Sequence, residues 1–523
     1  MRGFLRALIL PAAAAVLLAV AAAASAQTAP PRKPVASPLE FKSSLPALDR
    51  VFAWAKDQAL AYVFTGDPVG DWYEAALPKR EAFCMRDVSH QAAGANALGL
   101  AAINKNLFRK FAVNISEAKD WCTYWEINRH DKPAPIDYRN DKEFWYNLPA
   151  NFDVLDAIGR QYLWTGDRAY LDDPVFLNFY ARTVNEYVER WALSPKRIMT
   201  RPSIMNLAVP LDPKDPYRAS RGLSSYNEDE EGLNVGADLP AAQYAAYKAC
   251  ALLLGQRGDK AGAEAWEKKA AEAKAFFHRT WWDPAAGRYF VFHSPDGRFR
   301  HGIGQEFLVY FGITAEGAPT QQAVRETIAR ASYTRAMAAG TEPGVSPGSP
   351  TAVGLIAINI EMHSYYPEIF FRHGEDAAAL KTILYMGDPA TKRREYPEVS
   401  FAVIGALTRG LMGIEPDARD GSVATRPHLT REIGEAEIKN VPVLGTLISV
   451  KHTGRTRTEF KNAGPAALTW KAGFSGNSDT IAVDGKAQKA ERAKDESGAA
   501  FSFVRIKVEP GQTVTAAAGP INK

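Results

Sequence analysis

The stretch DLPAAQYAAYKACALLLGQRGDKAGAEAWEKKAAEAKAFFHRTWWD, residues 238–283, decides the fold. Its first half, Leu239 to Leu254, is Ala-rich and apolar nearly all round, the composition of a helix buried on every side. Gly255-Gln256-Arg257-Gly258 supplies a hinge. From Ala261 to Trp282, Glu264, Glu267, Lys268 and Lys269 are spaced among apolar positions, as in a helix with one face in water. An inner helix joined by a tight turn to an outer one is a helical hairpin.

The same alternation runs outward in both directions, from about Leu45 to Gly413. Gln91 to Val113 reads as one Ala/Leu-rich helical segment, Asn151 to Trp164 stops at Gly166-Asp167, and the apolar run Ser400 to Met412 ends at Gly413. Alternating buried and half-exposed helices over this length predict stacked helical hairpins rather than a simple bundle. After Pro416 the character changes. Val423–Arg426, Ala436–Asn440, Leu447–His452, Thr456–Lys461, Leu468–Ala472 and Phe501–Val508 are β-prone, with turns at Asn440-Val441-Pro442, Thr453-Gly454, Asp484-Gly485 and Pro510-Gly511. That spacing predicts an antiparallel β-sandwich. Its acidic residues sit singly, so its expected task is to cover an open face of the helical part.

The first residues concern compartment. Arg2 and Arg6 precede the apolar run Ala7 to Ala23, which closes on Ala24-Ser25-Ala26, the layout of a secretory signal peptide. The expected organisation is a leader over 1–26, a Pro-rich linker over 27–44, a helical domain over 45–415 and a β-sandwich over 416–523. The protein is expected in the periplasm or secreted, off the membrane once the leader is cleaved. Lys and Arg total 63 against 59 Asp and Glu, without a basic block, which argues against nucleic acid. Three cysteines cannot all pair; Cys84 and Cys122 either bridge or serve as small buried hydrophobes. No Cys/His spacing suits zinc, and no cofactor is implied.

Polar and aromatic residues gather in four loops. The first, Arg80-Glu81-Ala82-Phe83-Cys84-Met85-Arg86-Asp87-Val88-Ser89-His90-Gln91, pairs Arg86 with Asp87, a rigid fork for adjacent hydroxyls. The second, Phe144 to Asp153, offers Trp145 as a stacking platform, with Asn147 and Asp153 as hydroxyl partners. The third, Ser224 to Asn234, holds Tyr226, Asn227 and the acidic run Glu228-Asp229-Glu230-Glu231. Crowded carboxylates raise one another's pKa, which keeps a Glu protonated as a general acid. The fourth is a pair of similar segments, Ser364-Tyr365-Tyr366-Pro367-Glu368-Ile369 and Arg394-Glu395-Tyr396-Pro397-Glu398-Val399, in which Pro shapes an extended approach to a helix. Aromatic faces with carboxylates and amides suit sugars, and hydrolysing a glycosidic bond takes two carboxylates across it.

On these residues the chain resembles the (α/α)6 six-hairpin glycosidases, among them glucoamylases, trehalases and α-L-rhamnosidases. Met85-Arg86-Asp87 resembles the Arg-Asp pair with which glucoamylase-like enzymes hold the terminal sugar. Asp238-Leu239-Pro240-Ala241, then Trp281-Trp282-Asp283 and Gly287-Arg288-Tyr289-Phe290, is similar to the central hairpin of trehalases. Gly410 to Asp417 with Arg426-Pro427 is similar to the rhamnosidase junction between barrel and β-domain. The resemblance implies a toroid followed by a β-domain and an exo-acting, inverting hydrolase acting on an oligo- or polysaccharide. It implies Glu230 as general acid with Glu228 as alternate, and Glu398 as general base with Glu395 as alternate. A rhamnosidase-like alignment instead puts the acid at Glu81 or Asp87. Arg86, Asp87, His90, Trp145, Asn147, Asp153, Tyr226 and Asn227 are then expected to hold the sugar. A polysaccharide lyase on a helical toroid, with Tyr226, His363 or His373 as base, and a glycan-binding protein without turnover are the alternatives. The leader predicts a mature N-terminus near Gln27; N-terminal sequencing of exported protein checks it, and an intact Met1 refutes it.

Overall fold

The computed structural model describes residues 35–201, 221–228, 230, 233–338 and 360–519; the expected leader lies outside them, as do Asp229 and Glu231. The hairpin at 238–283 forms as its pattern requires. Asp238–Gln256 is a helix buried along most of its length, and Lys260–Trp281 packs against it. Between them Gly258 takes φ +90°, open to glycine without strain. Asp259 caps the outer helix by accepting from Gly262 N at 2.9 Å.

Five more helices share the inner position: Met85–Ala97, Pro149–Thr165, Gln305–Tyr310, Ile360–Arg372 and Pro397–Gly405. With Asp238–Gln256 in its place in chain order, each packs on the next, and Pro397–Gly405 packs back on Met85–Ala97, so the six close into a ring. Outside it, Pro46–Ala61, Ala101–Val113, Lys260–Trp281, Ala318–Ala338 and Asp376–Gly387 pack on inner helices, and Pro174–Arg182 packs on Ala101–Val113. Glycines set the closest approaches. A Cβ on Gly94 would stand 2.0 Å from the carbonyl oxygen of Phe401, and one on Gly159 3.0 Å from Ala249 Cβ.

From Glu415 the chain is β. Glu415–Asp417 and Ser422–Thr425 begin a five-stranded sheet, and Glu435–Val443, Thr446–Thr453 and Arg457–Asn462 lie side by side in a seven-stranded one. Phe460 of one sheet stacks on Trp470 of the other with ring centroids 4.9 Å apart, joining their inner faces. This domain covers the C-terminal ends of the inner helices. Trp164 Nε1 donates to Pro442 O at 2.8 Å, Arg372 pairs with Glu496 at 2.6 Å, and His452 Nε2 lies 3.0 Å from Met412 O. The N-terminal ends of the same helices are left on the other face.

Four expectations change. Gln91 to Val113 is two helices, because Gly99 at φ +87° ends Met85–Ala97 and turns the chain into Ala101–Val113. Pro367 lies inside Ile360–Arg372 instead of shaping an extended approach, held there by the buried Tyr366, Ile369 and Phe370; only Pro397 starts its helix, where the missing N–H is harmless. Part of the expected linker, Glu40–Ser43, is an edge strand paired antiparallel with Glu435–Val443. Asn440, expected in a turn, sits in a bulge of that same strand at φ +59°. Cys84, Cys122 and Cys250 are all buried.

The Gly94–Phe401 contact has no room for a methyl group. Gly94→Ala is expected to cost ~2 kcal/mol or more in urea unfolding, the scale of core overpacking. Gly258→Ala, whose Cβ would meet nothing within 4 Å, should cost only the ~1 kcal/mol of a left-handed conformation.

Candidate active site

Because the inner helices all start on one face, residues of their first turns meet there although they lie far apart in sequence. Pro397 at the first helical position aims Glu398 inward, where it is 1% exposed. Glu398 Oε1 lies 2.7 Å from His90 Nδ1 on the neighbouring helix, and His90 stacks on Tyr365 at 3.8 Å between centroids. Tyr396 donates to Asp87 Oδ2 at 3.0 Å, and Arg86 Nε stands 3.5 Å from the other oxygen of Asp87. Arg86 also lies over the Tyr226 ring, and the Tyr226 hydroxyl donates to Asp153 Oδ2 at 3.0 Å.

The segment before Asp238–Gln256 forms another wall. Asp238 accepts from Ser225 Oγ at 2.8 Å and from Tyr226 N at 2.6 Å, which fixes the turn that presents Glu228. Asn147 Nδ2 donates to Glu228 Oε1 at 2.5 Å. Within the electrostatic reach of Glu228 stands Asp137, partly buried, which with the buried Glu126 flanks Arg80 at 3.7 and 2.6 Å. Glu398 Oε2, Asp153 Oδ1 and Asn147 Oδ1 are buried without a hydrogen-bond donor among the described residues. Buried acceptors left unpaired are costly, and polar groups converging on one spot are what a hydroxyl-rich ligand satisfies.

The electrostatics follow from burial. Desolvation pushes Glu398 up to about 8, opposed by Arg86 and reinforced by Glu361. Burial pushes Asp153 up to about 7 and Asp238 to about 6. Asp87 rises well above the carboxylate range through burial and the nearby Glu398 charge. Glu126 is raised by burial and by Asp137, with Arg80 pulling the other way. Burial pushes His90 down to about 4.

The fold is shared with glycosidases. An α-L-rhamnosidase from Dictyoglumus thermophilum superposes with a TM-score of 0.57 at 12% identity, over 92% of this chain and 50% of its own. The rhamnosidase of Bacillus sp. GL1 gives 0.54 at 15% identity, over 80% and 41%. The α-L-rhamnosidase of Streptomyces avermitilis, solved with L-rhamnose, gives 0.51 at 12% identity, over 92% and 42%. The chain spans half the length of these structures or less. No family model and no curated protein matches it. At these identities the likeness concerns fold: helical, with a C-terminal β region.

Of the residues singled out in the sequence, Arg86, Asp87, Asn147, Asp153, Tyr226, Glu228 and Glu398 come together here. Glu230 does not join them; it pairs with Arg300 of the 292–300 hairpin at 2.6 Å. Glu395 is exposed, and its backbone carbonyl accepts the Tyr62 hydroxyl. Glu81 stands outside, paired with Arg129 at 2.8 Å. His90 is buried too, with Nδ1 against Glu398 Oε1 and its ring stacked on Tyr365. Trp145 is partly buried against the core, and Asn227 packs near Gly304 with its backbone N–H donating to Ser225 Oγ at 2.9 Å. Sequence reading missed Glu126 and Asp137 as site residues; the aromatic run Trp121 to Trp125 just before Glu126 was the available signal.

Raised carboxyl pKa values tie stability to pH. In the folded state Glu398, Asp153 and Asp238 hold protons up to about 8, 7 and 6, whereas unfolded carboxyls release them near ~4. At these three groups the folded state therefore binds more protons across this window, and the stability they contribute is full below ~4 and lost as pH rises toward 8. Below ~6.5 the histidines that burial lowers to about 4 oppose this trend by taking up protons on unfolding, so the melting temperature should fall between pH 7 and pH 8, and Glu398→Gln should flatten that slope while stabilising the protein at pH 8. A melting temperature that rises across this window refutes the assignment.

Proposed function

We propose that this chain is an exo-acting, inverting glycoside hydrolase, its ring of inner helices being the (α/α)6 toroid of the six-hairpin superfamily. It acts on the terminal sugar of an oligo- or polysaccharide, in the periplasm or outside the cell. One observation carries the reading: Glu228 and Glu398, from different sides of the ring, both lie within electrostatic reach of the Arg86 guanidinium. Unpaired buried acceptors surround them, on a fold shared with rhamnosidases.

In this reading Glu228 is the general acid, preferred over Glu230 because Arg300 holds the latter away. Its carboxyl protonates the departing glycosidic oxygen as that bond to the anomeric carbon breaks. Glu398, the general base, takes a proton from water as the water oxygen bonds to the anomeric carbon from the opposite face. Arg86 and Asp87 hold adjacent hydroxyls, and Asn147 keeps Glu228 in place. Inversion asks for ~6.5–9.5 Å between the two carboxyls, against ~5–5.5 Å for direct attack.

Glu398→Gln and Glu228→Gln should each lower kcat ~10²-fold or more, the scale of general acid–base catalysis, while Glu230→Gln leaves it nearly unchanged. A base must be ionised and an acid protonated, so kcat/KM should follow a bell in pH, and Glu398→Gln should remove its rising limb; loss of the falling limb instead makes Glu398 the acid. Proton NMR of the first product, read before mutarotation, should show the anomer opposite to the substrate's. Retention would make one carboxylate a nucleophile.

A further inference from the structure

A cavity of about 890 Å³ lies behind this site, between the ring and the β-domain. At its inner end it reaches His90 and Ser364; at its outer end it meets the exposed Lys494 and the half-exposed Lys248, so it opens to solvent. Small side chains leave the space. Along Pro397–Gly405 and its continuation, the positions one and two turns below Glu398 are Ala402 and Ala406, and across from them are Ala93 and Gly94. The wall is polar further down, where Glu368 stands 3.3 Å from Arg409, 3.7 Å from Arg160 and 4.0 Å from Arg372. A polar, roomy space of this kind holds water, at ~30 Å³ a molecule.

His90 separates this space from the site. Its Nδ1 faces Glu398 Oε1 at 2.7 Å and Ser364 Oγ at 3.3 Å, its ring is clamped on Tyr365, and the ring also lines the cavity. We infer that the cavity is a rear conduit for water and protons, and that His90 is the positioning residue that holds Glu398 and passes its proton to that conduit. The inference rests on the glycosidase reading. In each turnover Glu398 gains a proton from the attacking water and Glu228 loses one to the leaving oxygen. To reset, the Glu398 proton moves to His90 Nδ1 while Nε2 releases one to water behind it, and a half-turn of the imidazole ring with proton exchange to water restores the Nε2–H tautomer for the next cycle; Glu228 regains a proton from solvent at the front, and a conduit water replaces the one consumed.

The groups facing this pair are Arg86 and Asp87 on its own helix side, Arg160, Tyr310, Glu361, Tyr365 and Glu368 from the helices packed against it, and Tyr396 before Pro397. Burial favours the neutral form of both partners, which leaves the shared proton on Glu398 in the empty site. A base that starts protonated needs an outlet, and with sugar filling the front the outlet is the rear.

Chemical rescue tests this. His90→Ala is expected to lower kcat ~10²-fold with little change in KM, and imidazole at tens of millimolar should restore it at least tenfold by entering the vacated space. Ala406→Trp, which narrows the conduit two turns below Glu398, should abolish that rescue in the double variant. His90→Gln keeps a side chain that can hydrogen-bond Glu398 and guards against misfolding; it should be as slow as His90→Ala, yet insensitive to imidazole. Full activity in His90→Gln, absence of rescue, or rescue undiminished by Ala406→Trp each overturns the conduit while leaving the glycosidase reading intact. No turnover of any oligosaccharide by the unaltered protein overturns that reading, and the conduit with it.

Discussion

Closure of the ring depends on two helices whose backbones nearly touch. Gly94 has no side chain, so the carbonyl of Phe401 comes in where a Cβ would stand, and Pro397–Gly405 lies directly on Met85–Ala97. The first and last inner helices, formed from segments some three hundred residues apart, are thereby neighbours. One turn toward the N-terminal face from that contact, His90 meets Glu398, a pair separated by 308 positions. Tyr396 reaches Asp87 across the same seam. Any widening of this interface would separate Glu398 from His90.

The face so assembled is held at a cost in stability. Glu398, Asp87, Asp153 and Asp238 are all nearly inaccessible, and burial alone drives each toward its neutral form. Arg86 and a few hydroxyl and amide donors offset part of this, and some acceptors stay unpaired. Structures retain such groups where a ligand or a reaction uses them. The opposite end of the ring is arranged differently: Glu368 among Arg160, Arg372 and Arg409 is pulled down to about 2 and stays ionised. The two ends of one helical ring thus hold carboxyls in opposite protonation states, with His90 between them.

Hairpin pattern, helix composition and the change at Pro416 were legible in the amino-acid order, because each is a local matter of periodicity and turn chemistry. Leu239–Leu254 reads as buried because it has no polar face, and Ala261–Trp282 as half-exposed because its charges recur on one side. The break at Gly99 was hidden by a continuous Ala/Leu composition, and the strand Glu40–Ser43 by a Pro-rich setting, since its pairing partner lies near residue 439. Pro367 and Pro397 sit in similar local sequences yet occupy a helix interior and a helix start, because packing around Tyr366 and Phe370 outweighs the bond that Pro367 removes.

Local sequence therefore determined most element types and the four stretches in which polar and aromatic residues gather, though Ser364–Ile369 proved to be a helix interior. It also singled out Glu398, whose placement follows from a proline at the first position of an apolar helix. Tertiary structure alone chose among residues that look alike in a row. Glu228 faces Arg86 and Asn147 while Glu230, two positions on, faces Arg300; Glu395 is in solvent while Glu398 is buried. It likewise brought Glu126 and Asp137 together around Arg80 and set His90 against the Glu398 carboxyl. The physical reason is that a carboxyl's role follows from what stands within a few ångströms of it, and in a closed ring those neighbours come from helices that the chain order keeps far apart.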